Sequence, residues 1–566
     1  MFRPAISASR NRETCSLMRC GTALARWVAF ILVSGACSIG GSGAAVGSPQ
    51  PVSTAAFHRI TVRGAEFYDR TTQDRFVARG NNYIRLATQT DVDGTTIVYH
   101  STFNPGRYDA GRAETALSRM HADGYNSVRV FTDWLAIAGK ESRLSQAYLR
   151  NMADFIRRAQ SHSIHVMVVG DEIPAGYRLA YQSGDQLVSW ENLIFLTPGG
   201  VEAGRHYWRD LVTGLNAVRA PTDQVWAFEL YNEAFYFIDR PPLSLNSGVV
   251  ATGNGHAYDM SSPIAKQQMM DENLVFWVDQ VRDAVREVDP SALVGIGFAA
   301  PQKPHPWRVG DARAIRTQPV LTSSQADFVD LHLYAGEELS LAQFMDNFEE
   351  GARPLMPIVM GEFGASTAAV APTHTAEVLQ SWQAGSCRFG FAGWLFWTWD
   401  TDEQPEFINV LGHGGVVNSA LAPKNRPDPC APPTVENLAF GRPVTASRSL
   451  PDSPPAAAVD GSLSTSWNAG APAPQWIEVD LGSPHTINRI VLTVSQSPSG
   501  NTTHRVSGRG TASEPYRLLQ ELHGMTTDQQ AVELKPTTSW ENVRFLKVET
   551  LSSPSWVAWR EVEVYG

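Results

Sequence analysis

The stretch Val225-Trp-Ala-Phe-Glu-Leu-Tyr-Asn-Glu233 is an apolar, strand-forming run that ends in an amide beside a carboxylate. A second run, Pro357-Ile-Val-Met-Gly-Glu-Phe-Gly364, carries Glu362 near its end in the same way. Strands that present polar groups at their C-terminal tips are typical of α/β barrels, which assemble their sites there from several strands. The two runs therefore predict that Glu233 and Glu362 meet at the mouth of a barrel.

Apolar runs alternate with amphipathic helical segments along most of the chain before residue 400. Helical periodicity is clear between the runs, although it is weak after the fifth run, and the eighth helix is expected to be short or absent. Eight strands with intervening helices predict an α/β fold of the (β/α)8 TIM-barrel type rather than an open sheet. The predicted strands are 76–83, 127–131, 165–170, 225–233, 293–298, 328–334, 358–364 and 391–399. The predicted helices are 113–122, 146–162, 203–218, 265–288 and 376–384.

The barrel pattern also predicts the location of three further segments. Residues 57–75 alternate in the manner of a β-hairpin, which we expect at the bottom of the barrel. The connections 84–111 and 234–263 are long and follow the first and fourth strands. Long loops over a barrel mouth usually shape a binding cleft, and plain surface decoration is the alternative.

The chain of 566 residues carries a net charge of −11 and is 43% hydrophobic. This length accommodates at least two globular domains. Proteins that bind nucleic acid need basic patches, so we expect no nucleic-acid partner.

The first 47 residues have the pattern of an export signal. Arginine-rich sequence precedes the apolar run 27–33, and small residues follow it. This order is typical of a secretory signal peptide, and the apolar run is too short to span a bilayer. We therefore expect a secreted protein without stable membrane insertion; attachment through a lipid on Cys37 is the alternative.

Of the five cysteines, only Cys387 and Cys430 lie outside the leader. In an oxidising compartment these two are expected to form a disulfide, which would add roughly 4 kcal/mol of stability by loop-closure entropy. Two buried thiols are the alternative.

The segment 422–433 is rich in proline and favours a stiff spacer. Beyond it, short alternating runs such as Trp476-Ile-Glu-Val-Asp-Leu481 are typical of an all-β domain. The predicted organisation is a leader at 1–47, a barrel domain at 55–425, a linker at 426–436 and an all-β domain at 437–566.

The barrel resembles glycoside hydrolase clan A, and family 5 in particular, over about residues 57–425. The motifs that carry this resemblance are Asn232-Glu233, His332-Leu-Tyr334, Gly361-Glu-Phe-Gly364, Arg129 and Phe396-Trp397, in the order and on the strands of that family. The resemblance implies that Glu233 is the acid/base and Glu362 the nucleophile of a retaining glycosidase. Retention requires the two carboxyl groups to lie about 5–5.5 Å apart, with the pKa of Glu233 raised above that of Glu362.

The resemblance also implies roles for the neighbours of these glutamates. Arg129 would hold Glu362 ionised, Asn232 would bind the sugar 2-hydroxyl, and Tyr334 would orient the nucleophile. His332 would bind substrate or Glu233, and Trp397 would stack on the sugar ring, with Trp394 and Trp399 as alternatives if the strand parity differs by one. For Arg129, Tyr334 and Trp397, a purely structural role in the barrel interior is the alternative. Asp171-Glu172 stand where many relatives have a histidine, which leaves that subsite open.

Residues 437–566 resemble a factor V/VIII type C (discoidin) domain, the jelly-roll sandwich of family 32 carbohydrate-binding modules. The motifs are Pro443-Val-Thr-Ala-Ser447, Ala458-Val-Asp-Gly461, Thr465-Ser-Trp467 and the C-terminal Glu561-Val-Glu-Val-Tyr-Gly566. The resemblance implies a structural Ca²⁺, to which Asp460, Thr465 and Glu561 could contribute oxygen ligands. Trp556 and Trp559 are either sugar platforms or core residues.

Together these observations predict a secreted, retaining hydrolase of β-mannan or β-glucan with an attached sugar-binding domain. The fourteen histidines lack ligand spacing, so we expect no cofactor or metal in catalysis. We expect a monomer whose partner is its polysaccharide substrate. A non-catalytic glycan-binding surface protein is the alternative, and transglycosylation would use the same two carboxylates.

Overall fold

The computed structural model describes residues 59–90, 94–181, 190–299, 313–335, 339–348, 355–370, 375–431 and 437–566. The predicted signal segment 1–47, including Cys37, lies outside these residues, as do 432–436 of the predicted linker. Within the described part of the chain, no helix combines the length and the apolar character needed to cross a membrane.

Eight parallel strands close into a barrel, which confirms the predicted fold class. They are β1 (Ala78–Asn82), β2 (Ser127–Thr132), β3 (His165–Gly170), β4 (Val225–Glu229), β5 (Val294–Ala299), β6 (Phe328–Ala335), β7 (Ile358–Ala365) and β8 (Phe391–Phe396). Their order around the barrel is β5-β6-β7-β8-β1-β2-β3-β4. Strands β3, β6 and β7 are buried along their whole length, because helices cover the outside and side chains fill the inside.

Two predicted strand ends are wrong. The fourth strand ends at Glu229 rather than Glu233, and the eighth ends at Phe396 rather than Trp399. Beyond Glu229 the backbone still bonds to β5, since the amide of Ala234 donates to the carbonyl of Gly297. Asn232, Glu233 and Trp397 therefore lie just past the strand tips, where the chain has left the regular ladder.

The helices alternate with the strands as the apolar periodicity predicts. Each long helix begins at a side chain that caps a free backbone amide, as Asp109, Ser145, Thr197 and Ser262 do. The helices after β5 and β8 are short, in line with the weak patterns there. In chain order the helices are α1 (Ala110–Ala122), α2 (Gln146–Ser161), α3 (Ala175–Tyr181), α4 (Trp190–Leu196), α5 (Pro198–Ala217), α6 (Pro263–Val288), α7 (Gln318–Ser323), α8 (Leu341–Asn347), α9 (Thr375–Ser386) and α10 (Val416–Leu421).

A small antiparallel sheet closes the bottom of the barrel, where a hairpin was predicted. Its strands are Ile60–Arg63, Glu66–Asp69 and Arg75–Phe76. The ring of Phe67 lies 5.2 Å from that of Trp226 at the start of β4 and 6.1 Å from that of Phe328 at the start of β6. These edge contacts bury the N-terminal end of the barrel, so any functional groups are left to the other end.

The two long connections at the mouth carry small sheets of their own. Leu86–Thr90 pairs with Thr96–His100 after β1, and Val249–Ala251 pairs with Ala257–Asp259 after β4. A short pair, Tyr236–Phe237 with Arg313–Ala314, joins the connection after β4 to the one after β5.

The proline-rich segment packs on the barrel instead of acting as a free spacer over its described residues. Arg79 of β1 donates to the carbonyls of Leu421, Arg426 and Pro427. Cys387 and Cys430 form the predicted disulfide, which ties the segment to the end of α9. Buried arginine donors need carbonyl acceptors, and a chain free of regular structure has carbonyls to offer.

Residues 437–566 form two packed antiparallel sheets, as predicted. Their strands are β9 (Val444–Ala446), β10 (Trp467–Asn468), β11 (Gln475–Ile487), β12 (Arg489–Val494), β13 (Gly500–Arg509), β14 (Arg517–Thr526), β15 (Ala531–Leu534), β16 (Trp540–Ser552) and β17 (Ala558–Tyr565). One sheet has the order β9-β11-β16-β13-β14, and the other has the order β10-β17-β12-β15. Trp467, Trp559 and the alternate apolar residues of the central strands fill the space between the sheets.

The sandwich and the barrel touch directly. A guanidinium nitrogen of Arg489 lies 2.7 Å from a carboxylate oxygen of Glu377 on α9. The amide of Leu463 also donates to the carbonyl of Ala369 at 3.1 Å. The two domains therefore share a polar and backbone contact at the side of the barrel that carries α9.

Candidate active site

Arg129, on β2, lies at the centre of the polar cluster in the upper barrel and is fully buried. Its guanidinium donates to both carboxylate oxygens of Glu229, at 2.8 and 2.9 Å. It also donates to Asn82, Asn232 and Glu362, at 3.0, 2.6 and 3.0 Å. A planar guanidinium with five donors can hold several carbonyl and carboxylate groups in one arrangement, as it does here.

Glu362 is held from two sides. Arg129 donates to Oε1, and the hydroxyl of Tyr334 donates to Oε2 at 2.6 Å. The backbone of Glu362 is paired with that of His332 in the β6–β7 ladder. The carboxylate is therefore restrained at both oxygens, and its two donors come from different strands.

Glu233 follows β4, and its side chain retains 15% of its accessible surface, whereas that of Glu362 is fully buried. The Nδ1 atom of His332 lies 3.0 Å from Oε1 of Glu233 and 3.6 Å from Oε2 of Glu362. One carboxylate oxygen of Glu233 and one of Glu362 lie within 4.8 Å of each other. An approach this close suits direct attack by one carboxyl group and protonation by the other.

Opposing effects act on the pKa of each buried group. Burial raises the pKa of Glu362 against the lowering effect of His332 and Arg129, and the net direction is upward. Ionisation of this carboxylate therefore depends on its neighbours. The pKa of His332 is raised despite its burial, because carboxylates surround the ring and Glu362 has the largest effect among them.

The geometry around His332 favours one tautomer of the neutral ring. Nε2 lies 3.2 Å from Nη2 of Arg129, which is always a donor. A protonated ring would carry a hydrogen on Nε2, so two donors would face each other across this contact. In the neutral ring, this contact is satisfied when Nε2 accepts from Arg129 and Nδ1 donates to Glu233.

The remaining predicted residues are close by. Asn232 is buried and its side-chain oxygen accepts from Arg129. Trp397 is 4% exposed, meets the ring of Phe131 edge-on at 5.8 Å and donates to Gln404. The alternatives Trp394 and Trp399 belong to the apolar core of the barrel instead.

Two members of the cluster were not predicted. Glu229 on β4 and Asp330 on β6 are fully buried beneath Glu362, within reach of Arg129 and His332. The available signal was their charge inside otherwise apolar strands. On β6, Asp330 also shares an inward-facing parity with His332 and Tyr334.

Two groups in this cluster have the spacing of metal ligands, namely Glu229 with Asp330 and His332, and Glu233 with His332 and Glu362. In both groups, oxygen and nitrogen lone pairs that a metal would use accept hydrogen bonds from Arg129 or Tyr334. Arg129 and Tyr334 therefore already engage part of each group.

At the end of β3, Asp171 and Glu172 are buried at the mouth of the barrel. Nearby, the ring of His100 stacks on Phe131 with centroids 4.1 Å apart. The guanidinium carbon of Arg129 also lies over the ring of Phe131, 4.6 Å from its centre. Aromatic faces beside acidic groups are therefore present next to Trp397.

In the sandwich, the residues expected to hold a cation lie together. Asp460 accepts from the hydroxyl of Thr465 at 2.9 Å, and Oε1 of Glu561 accepts from the amide of Gly461 at 3.0 Å. Oε2 of Glu561 is buried and has no hydrogen-bond partner among the described residues. Burial raises the pKa of Asp460 to about 6, and burial and Asp460 raise the pKa of Glu561. A buried carboxylate oxygen without a donor fits a hard cation such as Ca²⁺.

The two tryptophans near the C-terminus have different environments. Trp559 is buried and packs against His504, so it is a core residue. Trp556 is 52% exposed and lines an open cleft together with Arg560, Asp528 and Gln496. An exposed indole beside polar groups is an arrangement that suits a sugar ring.

Two family models match the chain. The model described as "Cellulase (glycosyl hydrolase family 5)" matches residues 86–403, which is more than half of the chain. The model described as "F5/8 type C domain" matches residues 443–562. No curated protein matches the chain.

Several solved structures are similar to parts of the chain. An exo-β-1,4-mannosidase from Opitutaceae bacterium strain TAV5 is 17% identical over 66% of this chain and 63% of its own, with a TM-score of 0.44. A β-mannanase from the blue mussel Mytilus edulis is 18% identical over 65% of this chain and 97% of its own, with a TM-score of 0.38. A family 32 carbohydrate-binding module from C. perfringens, solved with galactose, is 18% identical over 24% of this chain and 98% of its own, with a TM-score of 0.21. The chain thus spans less than two thirds of the mannosidase structure.

Proposed function

The chain belongs to the cellulase family, glycosyl hydrolase family 5, and we propose that it is a secreted, retaining endo-hydrolase of β-mannan or β-glucan. Membership of the family makes it a glycoside hydrolase with a carbohydrate substrate. The proposal adds the stereochemistry, the residues that act, and the class of polysaccharide.

The observation that carries the proposal is the approach of Glu233 and Glu362. Their carboxylate oxygens come within 4.8 Å of each other, and one histidine bridges the two residues. In inverting enzymes the two carboxyl groups are about 6.5–9.5 Å apart, to leave room for a water molecule. The shorter separation therefore supports double displacement.

In the first step, an oxygen of Glu362 attacks the anomeric carbon, and the bond from that carbon to the leaving oxygen breaks. Glu233 gives its proton to the leaving oxygen, so the shortened polysaccharide departs as an alcohol. The partial exposure of Glu233 suits this exchange, since a proton has to enter and leave the site. Glu362 is left as a glycosyl ester.

In the second step, water attacks the same carbon from the face that the leaving group occupied. Glu233, now a carboxylate, takes a proton from that water, and Glu362 leaves as a carboxylate. Two inversions give net retention. If a second sugar replaces water, the same steps give transglycosylation, and the outcome depends on the acceptor.

The neighbours of the two glutamates support these steps. Arg129 and Tyr334 donate to Glu362 and favour its ionised form, and His332 orients Glu233. Trp397 faces the same interior beside Phe131, where a sugar ring would find an apolar wall. Asn232 is held by Arg129, which leaves its amide nitrogen available to a sugar hydroxyl.

For the sandwich we propose sugar binding at the cleft beside Trp556 and a structural Ca²⁺ held by Asp460 and Glu561, with Thr465 supporting Asp460. The ion would neutralise two buried carboxylates and take no part in bond cleavage. A tethered sugar-binding domain raises the local concentration of polysaccharide at the barrel.

The test is hydrolysis of a panel of soluble mannans and glucans, with anomer-resolved NMR of the first products. We expect retention, and loss of at least about 10³-fold in kcat for Glu362→Ala. Azide should restore turnover of both variants and give different products. Glu233→Ala should form the β-glycosyl azide, because azide then replaces water in the second step. Glu362→Ala should form the α-glycosyl azide, because azide then replaces the nucleophile of the first step. Glu202→Gln, on the exposed face of α5, is the matched control. Inverted products from the unaltered chain, or full activity in Glu362→Ala, would refute the assignment.

A further inference from the structure

Beneath the two glutamates lies a second carboxyl pair that the reaction scheme does not use. Glu229 on β4 and Asp330 on β6 are both fully buried, and one carboxylate oxygen of Glu229 lies within 4.8 Å of one of Asp330. Each is close to Arg129, at 2.8 Å for Glu229 and 3.4 Å for Asp330. Three buried carboxylates, counting Glu362, thus surround one guanidinium.

The backbone makes room for this pair at two glycines. A Cβ atom on Gly361 would lie 1.7 Å from Oδ2 of Asp330, and one on Gly297 would lie 2.2 Å from Oε1 of Glu229. A larger residue at position 361 would displace the carboxyl group of Asp330, whereas one at position 297 would first meet the backbone oxygen of Asn232, at 2.0 Å. The glycine of β7 therefore makes room for Asp330.

The two carboxyl groups differ in their donors. Glu229 accepts from Arg129 at both oxygens, while Oδ1 of Asp330 accepts from the amide of Gly361 at 2.5 Å. Oδ2 of Asp330 is buried, lies 3.4 Å from Nε of Arg129 and makes no hydrogen bond to the described residues. A buried carboxylate oxygen without a hydrogen bond is costly, and a proton on the neighbouring carboxyl group would supply one.

The location of Asp330 links this pair to the nucleophile. The β6–β7 ladder slips between Asp330 and His332, and the amide that Asp330 holds at this slip is that of Gly361, the residue before Glu362. The carbonyl of Gly361 is held in turn by the side-chain amide of Asn82. The backbone N–H and C=O of Gly361, the residue before the nucleophile, are therefore both fixed by side chains.

We propose that Glu229 and Asp330 share a single proton beneath the active site, and that they act as positioning residues which hold Arg129 and the backbone at Gly361 so that Glu362 faces the substrate. The kinetic part of this inference rests on the proposed function. One proton in the pair leaves it with a single negative charge, so Arg129 can still serve Glu362 instead of being neutralised by two carboxylates below it.

The directions of the pKa values agree with the geometry. Burial raises the pKa of Glu229 well above its usual range, against the pull of Arg129. Burial also acts on Asp330, but the charge of Arg129 and a hydrogen bond from Glu229 keep the pKa of Asp330 below its usual value. The proton therefore resides mainly on Glu229.

Proton counting on unfolding tests the shared proton without any assay of activity. The full chain is unfolded in guanidinium chloride at pH 7 in a weakly buffered solution, and the protons released per chain are measured. At this pH an unfolded glutamate or aspartate is ionised, so a shared proton is released on unfolding. We expect Glu229→Gln and Asp330→Asn each to release one proton fewer than the unaltered chain, and the double variant to release no fewer than either single variant.

Each result of this count decides the point. Equal release by the unaltered chain and by both single variants would mean that the pair is fully ionised, which overturns the proposal. Retention of the extra proton in Asp330→Asn would mean that Glu229 is neutral by itself and shares nothing, which also overturns it. Glu114→Gln is the matched control, because Arg158 and His162 keep the pKa of Glu114 low and no proton is there to be released.

The positioning role is tested by a pair of substitutions at one site. Asp330→Ala removes the acceptor for the Gly361 amide, whereas Asp330→Asn keeps an acceptor of the same shape. We expect kcat on the best polysaccharide to fall at least about 10-fold in Asp330→Ala with KM unchanged, and to be largely restored in Asp330→Asn. Equal loss in both variants, or a loss confined to KM, contradicts the role. If the unaltered chain hydrolyses no polysaccharide, the proposed function fails, while the proton count still decides whether the pair shares its proton.

Discussion

The hydroxyl of Tyr334 donates a 2.6 Å hydrogen bond to Oε2 of Glu362, from the strand next to the one that carries the glutamate. Both groups are fully buried, so water cannot replace the bond if it is lost. The bond favours the ionised form of Glu362 and opposes the burial that raises its pKa. Removing it should affect both the rate and the pH range of the reaction.

For Tyr334→Phe we expect kcat to fall by roughly 10- to 100-fold, because a hydrogen bond to a charged group contributes about 1.5–3 kcal/mol. Loss of the donor raises the pKa of Glu362 further, and the nucleophile must be ionised, so the acidic limb of the kcat/KM profile should move to higher pH. The measurement is a pH–rate profile on a soluble substrate. Tyr125→Phe, which loses a buried bond to Asn418, is the control and should keep the profile.

For His332→Asn we expect the effect to depend on the leaving group. The ring orients Glu233, which is needed only when the leaving oxygen must be protonated. Turnover of a polysaccharide should fall at least about 10-fold, while release of dinitrophenol from an aryl glycoside should change by less than about 3-fold. Equal losses on both substrates would show that the histidine serves the nucleophile instead.

Calcium is expected to stabilise the sandwich more at pH 7 than at pH 5. Asp460 has a pKa raised to about 6, so its ionisation in the folded state is unfavourable and stability without the ion falls as pH rises through that value. A bound cation removes this cost. Calorimetry with Ca²⁺ and with a chelator measures the difference, and Glu561→Gln should abolish the response to calcium without lowering the melting temperature of the metal-free form.

Replacing both Cys387 and Cys430 by serine should destabilise the barrel by about 4 kcal/mol, since the closed loop spans 43 residues. The double variant is preferable to a single one, which would leave a reactive thiol. Denaturant unfolding followed by tryptophan fluorescence gives the change. A stability equal to that of the unaltered chain would mean that the contacts of Arg79 and Arg426 hold this segment unaided.

The contribution of His504 to the stability of the sandwich is expected to fall as pH drops from about 6.5 to 4. Burial lowers the pKa of His504 to about 4, so over this pH range the histidine is protonated in the unfolded chain before it is protonated in the folded one. Protonation therefore favours the unfolded chain by about 3 kcal/mol at the acidic limit. Substitution of His504 by glutamine should flatten this part of the melting-temperature profile. The exposed His523 provides the control, since His523→Gln should leave the profile unchanged.

Much of the fold followed from local patterns. The apolar runs and helical periodicities placed eight strands and the long helices, because burial on both faces requires continuous apolar strands. The ends of the fourth and eighth strands were wrong, since Asn232, Glu233 and Trp397 continue an apolar pattern after the ladder has ended. Apolar character reports burial, and it does not report where backbone pairing stops.

The candidate site was predictable only in part. Arg129, Tyr334 and the two glutamates were found from motifs, and the structure brings them together. Glu229 and Asp330 were missed because a charge inside an apolar strand has no meaning until its partners are known. Asp330 could have been found from its parity with His332 and Tyr334 on one strand, whereas nothing near Glu229 in sequence points to Arg129.

The amino-acid sequence by itself determined the periodicity of strands and helices, the placement of the two glutamates at or near the C-terminal ends of apolar runs, and the change from barrel to all-β pattern near residue 430. Only the tertiary structure decided which charges share the barrel interior, which tryptophan faces the site, and that the proline-rich segment packs on β1. The reason is physical: apolar burial is encoded residue by residue, but a buried charge is stable only with partners that lie far away in the chain. Arg129 is separated from its partner Glu362 by 233 positions, and closure of the barrel is what brings them within 3.0 Å.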